Sequence, residues 1–135
     1  MIYKSKNLTE NGLPVWELNT DDDVIMRIIH RNPKTGEEEK FRFFADHIRL
    51  HLHYRDEYFP EKLQELVDKG EIYNYLYNFD IEVKDALYAQ AQKFMDNDKD
   101  YLTALHSGNL YEVEKLGNMC TEQAKEIIFA DMVYV

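Results

Sequence analysis

The apolar residues of this chain change period once, near Ala45, from about two to about 3.6, and that switch decides what it can fold into. Ahead of the switch the pattern is that of strands. Gly12-Leu13-Pro14-Val15-Trp16-Glu17-Leu18 alternates after an Asn11-Gly12 turn signal. A second segment, Val24-Ile25-Met26-Arg27-Ile28-Ile29-His30-Arg31, is rich in β-branched residues, Asn32-Pro33-Lys34-Thr35-Gly36 supplies turn chemistry, and Lys40-Phe41-Arg42-Phe43-Phe44 resumes the apolar run. Two or three strands are not stable alone in water, so one face of this hairpin must pack on helices further along. Residues 1–44 are expected to form a β-hairpin appendage and not a domain of their own.

Past Ala45 the spacing becomes helical. Ile48, Leu52 and Phe59 lie on one stripe, and Pro60 is suited to opening a second helix over roughly 61–69. Leu63, Leu66 and Val67 give that helix an apolar stripe, and Gly70 stands where a left-handed cap is needed. Ile72, Leu76, Phe79, Val83, Leu87 and Phe94 recur without an intervening Gly or Pro, which predicts a long helix over 71–97. Tyr101, Leu102 and Leu105 predict a short helix, Ser107-Gly108-Asn109 a turn, and 110–130 a last helix. Its inward positions would be Leu110, Val113, Leu116, Cys120, Ala124, Ile127 and Ile128, with Gly117 placed for close helix packing. The expected fold is mainly α, a small antiparallel helical bundle over 45–135 carrying an N-terminal β-hairpin (α+β), in a single domain over 1–135.

A chain of 135 residues can bury most of its apolar surface without a metal or a disulfide, and its five glycines and three prolines leave no flexible linker. The one cysteine, Cys120, lies among apolar residues and reads as an inert buried thiol. No stretch approaches the roughly 20 apolar residues of a membrane helix, and the N-terminus lacks a basic segment leading into an apolar run, so a cytoplasmic protein is expected.

Charge is distributed unevenly. Residues 1–55 hold nine acidic and nine basic side chains, whereas 56–135 hold seventeen acidic and seven basic, which puts the whole formal −10 in the second part. An acidic helical surface repels phosphate backbones and attracts basic protein surfaces.

Motifs for chemistry are weak. His47-x-x-x-His51, with His53 close by, could present a metal to one helix face, but no Glu lies between the two as in a zinc protease, and solvated histidines explain the spacing equally well. The carboxylates of Asp80, Glu82 and Asp85 fall mainly between apolar stripe positions, as on a solvated face. No phosphate loop or nucleophile elbow is present, and Cys120 has no histidine near it in sequence. No enzyme, no metal and no cofactor are expected. Tyrosine is the more informative residue. Tyr73, Tyr75 and Tyr77 alternate with the stripe of the long helix, while Tyr54 and Tyr58 lie on the preceding one, among Asp and Glu, as suits a protein-binding surface.

Arg49-Leu50-x-Leu52, Arg55 and Tyr58, then Leu66-x-x-x-Gly70, Tyr75-Leu76 and Asp80-x-Glu82, resemble the small transposon-encoded proteins of the TnpV type. The run from Asn118-Met119 through Glu126-Ile127-Ile128 to Val133-Tyr134 is similar to that family's closing segment, and Gly12-Leu13-Pro14-Val15 to its opening one, whereas 20–44 departs from the pattern. The resemblance implies a mobile-element product without an established catalytic activity.

Two readings follow. In the first, the protein is a non-enzymatic accessory factor whose acidic helical face binds a basic, nucleic-acid-handling protein, as an anti-CRISPR or anti-restriction inhibitor or DNA mimic would, or as a recombinase partner. Its binding residues would be Tyr54, Glu57, Tyr58, Glu61, Glu65, Asp68, Glu71, Tyr73, Tyr77, Asp80, Glu82 and Asp85, with dimerisation through the tyrosines left open. In the second, an excisionase-like factor grips a phosphate backbone with Arg27, Arg31, Lys34, Lys40 and Arg42 of the hairpin, although Glu37-Glu38-Glu39 sits among them.

Overall fold

The computed structural model describes residues 1–23 and 26–135, the side chain of Met26 excepted. Val24 and Ile25, assigned by the sequence to the second strand, lie outside the described residues. The fold is α+β and mainly helical, with an N-terminal antiparallel sheet and five α-helices among the described residues. The sheet has four strands in sequential order, β1 (Ile2–Lys4), β2 (Trp16–Asn19), β3 (Met26–Arg31) and β4 (Glu38–Arg42). The helices are α1 (Asp46–Tyr58), α2 (Pro60–Asp68), α3 (Ile72–Asn97), α4 (Lys99–Ser107) and α5 (Leu110–Ile128), and a π-helical turn, Phe129–Val133, follows.

The chain divides into two compact units, Met1–Asp80 together with Val135, and Ile81–Tyr134. The boundary falls inside α3. In place of a hairpin appendage, a complete four-stranded meander is built into the first unit with α1 and α2.

The first unit follows from register. Tyr3 pairs with Leu18, Leu18 with Ile28 and Ile28 with Phe41, so one row of apolar side chains crosses all four strands on a single face. Tyr3, Leu18 and Ile28 are buried, as are Ile48, Leu52, Leu63, Val67, Ile72, Leu76 and Phe79 of the helices. Burying a side chain such as Leu18 contributes roughly 1.5–3 kcal/mol. Polar groups fasten α2 to the sheet edge: the Gln64 amide donates to the Lys4 carbonyl at 2.8 Å, and Asp68 accepts from the Lys6 N–H at 3.1 Å. Pro60 occupies the first turn of α2, where a missing N–H costs nothing, and Phe59 is the joint between α1 and α2, not a stripe residue of α1. Gly70 ends α2 with φ of +71°, at a place where a Cβ would run into the Trp16 indole.

In the second unit, α4 is capped by Asp98, which accepts from the Tyr101 N–H, and ended by Gly108 at φ +69°. Asn109 then caps α5 by accepting from the Glu112 N–H. Cys120, Ala124 and Ile128 are buried as expected, but Leu110 is 80% and Ile127 41% exposed. The register of α5 therefore differs from the expected one at both ends. Gly117 is not there for tight packing, since a Cβ would lie 3.6 Å from Met95 and 3.7 Å from Tyr101, which is ordinary contact.

Candidate functional site

The acidic residues proposed from the sequence fall into two groups, those left in solvent and those used by the fold. Glu57 and Glu61 are exposed, without an ion pair among the described residues, and stand in sequence on either side of Tyr58, itself 57% exposed. Tyr54 is half-buried and its ring lies 4.8 Å from that of Tyr58, so the two tyrosines form one aromatic step at the end of α1. Glu71 is exposed at the α2–α3 turn and Tyr77 is exposed on α3. In the second unit, Glu82 and Asp85 of α3 are exposed as well.

Three carboxylates belong to the structure. Asp80 is taken up by His47, whose Nε2 lies 2.6 Å from its Oδ1. Asp68 accepts from the Lys6 backbone and from the Gln64 amide. Glu65 is exposed but paired with Lys69 at 2.7 Å one turn along α2. Tyr73 is also internal in part, with its ring 4.3 Å from Phe41 and 6.0 Å from Phe43. Asp68, Asp80 and Tyr73 are half-buried and held by partners in the first unit.

Two of the three histidines of α1 are not solvated. His47 and His51 are buried on the inner face of α1, with His51 Nε2 2.7 Å from the Tyr75 hydroxyl and its ring stacked 4.1 Å from Phe79. Burial next to specific polar partners makes them part of the core: each imidazole fills apolar space and satisfies one polar group. His53 reaches Asp22. No group of three or more His, Cys, Asp or Glu is arranged to hold a metal among the described residues. Cys120 is buried, which pushes its thiol up and disfavours the thiolate.

Two of the five hairpin cations are consumed by the fold. Arg31 is buried with its guanidinium bonded to Glu38 at 3.2 Å, Glu17 at 3.3 Å and the Pro14 carbonyl at 2.9 Å. Glu17 and Glu38 hold it charged against the opposing effect of burial. Arg27 is 4% exposed and donates to the Asp21 carbonyl. Lys40 is exposed 4.0 Å from Glu38, so Lys34, Lys40 and Arg42 of the five remain in solvent. No helix is long and apolar enough to cross a membrane among the described residues.

Two cations without a binding role assigned from the sequence, Arg55 and Lys62, converge on the Phe59 ring, with the guanidinium carbon 5.7 Å and the ammonium 4.9 Å from its centroid. Phe59, read as a core position, hid them. No protein-family model, curated protein or solved structure matches the chain.

Proposed function

We propose that the protein is a non-enzymatic accessory factor of a mobile element that works by binding another protein through its exposed acidic surface. The partner is a basic, nucleic-acid-handling protein, a nuclease that it inhibits or a recombinase that it assists. The observation that carries this reading is the exposed trio Glu57, Tyr58 and Glu61. Two carboxylates without ion pairs among the described residues stand in sequence on either side of a largely exposed aromatic residue, in a chain of net charge −10. An aromatic anchor within negative charge suits a cationic partner, because the field speeds encounter and the ring supplies area that is desolvated on docking. The excisionase-like alternative is weaker, since the burial of Arg27 and Arg31 removes two of its five phosphate contacts.

Affinity capture with the wild-type chain and with the E57K/E61K variant, read by mass spectrometry, tests the reading beside a gel-shift series on duplex DNA. Basic nucleic-acid enzymes should be enriched by the wild type and lost with the variant. Tight duplex binding at about 0.15 M salt, or capture that survives the charge reversal, overturns it.

A further inference from the structure

In a chain with 26 acidic and 16 basic side chains, an arginine without a carboxylate stands out. Arg55 is such a residue. Its side chain has no hydrogen bond or ion pair among the described residues, and its Nε is shielded from solvent as well as unpartnered. A buried N–H without an acceptor is costly, and the Arg55 Nε–H shares that condition with Arg27 Nε, whereas the two Nη groups of Arg55 are not shielded and stay open to a ligand. Packing on Phe59 fixes the group without satisfying any of its donors.

Arg55 lines a cleft of about 250 Å³ in the first unit, together with Lys62, Glu65, Leu66, Lys69, Glu71 and Tyr75. Three cations thus meet in one concavity. Lys69 is engaged by Glu65, whereas Lys62 lies over the Phe59 face and acts on Glu65 only through its charge, without an ion pair among the described residues. Leu66 and Tyr75 add apolar surface to the same wall.

We propose that this cleft binds a monocarboxylate carried on a small apolar or aromatic body, with the Arg55 guanidinium as the recognising fork and Lys62 as the second charge. The planar fork matches a carboxylate through two parallel N–H···O bonds. Single charge follows from the balance at the site. With Glu65 and Lys69 cancelling, Arg55 and Lys62 face Glu71, so about one positive charge is left over, enough for a monoanion and too little for a phosphate dianion. The apolar body follows from Leu66 and Tyr75. The cleft shares Glu65 and Glu71 with the acidic surface, but the proposal does not rest on the acidic-surface reading and survives its failure.

The test follows the Arg55 Nε–H and Leu66 methyl resonances during titration with benzoate, with inorganic phosphate, and with the peptide Ala-Ala-Phe carrying a free or an amidated C-terminus. Saturable shifts with benzoate identify a free acid as sufficient, and shifts with the free-terminus peptide alone identify a chain terminus. In either case R55K should weaken binding at least about tenfold with the near-ultraviolet dichroism unchanged, because lysine keeps the charge and loses the fork. Should R55K perturb the fold, Lys62→Met reports on the same cleft and should weaken binding severalfold. The proposal is overturned if neither benzoate nor the free-terminus peptide saturates by tens of millimolar, if the amidated peptide binds equally well, if phosphate binds more tightly than benzoate, or if a folded R55K binds as the wild type does.

Discussion

Tyr3 and Asp56 tie the first strand to the end of α1: the phenol donates to the Asp56 carboxylate, which also accepts from the Thr20 hydroxyl at 3.2 Å. Burial is the larger cause, and the Asp56 carboxylate the next, that pushes the Tyr3 phenol well above its ordinary value. A folded-state value above the unfolded one means that the folded chain holds its proton more tightly. The resulting stability is fully present below about pH 10 and is lost as pH rises toward the folded value, by at most about 1.4 kcal/mol per pH unit. Tyr3→Phe should therefore cost about 1–2 kcal/mol at pH 7 and flatten the alkaline part of the stability curve, read by urea unfolding between pH 7 and 11. Gly70 makes a second prediction at this scale. An alanine there would keep φ at +71° and place its Cβ 2.9 Å from Trp16 Nε1, whereas at Gly108, with φ +69°, a Cβ meets nothing within 4 Å. Both variants pay for the left-handed backbone, about 1–2 kcal/mol. Only G70A must also displace the indole, so it should unfold at the lower urea concentration of the two.

At the scale of elements, Gly117 has an unused possibility. It sits in α5 with room for a methyl group against Met95 and Tyr101, and glycine inside a helix costs roughly 0.5–1 kcal/mol relative to alanine. G117A should raise the thermal midpoint in a calorimetric scan, and a fall would mean that α5 packs more tightly against Met95 than the distances allow. The helices were legible because their signals are local. Pro60, Gly70 and Gly108 mark boundaries, and Leu63, Val67, Ile72 and Leu76 repeat the period over enough turns to fix it. β1 was missed because three residues are too few to show an alternation. The histidines were misread for a different reason. A polar side chain on a helix reads as solvated unless its partner is known, and those partners, Asp80 and Tyr75, lie 33 and 24 residues away. The same distance problem hid the roles of Asp68 and Asp80, and it hid Arg55, whose significance lies in the carboxylate it lacks.

At the scale of the whole chain, the balance of charge acts on folding and on association in opposite senses. Ten uncompensated negative charges repel one another in the folded state more than in the expanded one, which destabilises the compact form. Raising the ionic strength from about 0.01 to about 0.15 M shortens the screening length from roughly 30 to roughly 8 Å, which relieves that repulsion. Exposed pairs such as Lys125 with Glu122 are weakened too, but they contribute too little to reverse the balance. The melting temperature should therefore rise with salt, by about 2–5 °C over this range. E57K/E61K, which moves the net charge four units toward neutrality, should melt above the wild type at low salt and converge with it at 0.15 M. Capture of a basic partner should move the other way, falling with salt and with the same two substitutions, because attraction between the molecules is screened along with repulsion inside one. The two readouts together separate a surface that is acidic for binding from carboxylates that hold the fold. A variant that melts below the wild type at every salt concentration would place Glu57 and Glu61 with Asp68 and Asp80, among the groups the structure itself requires.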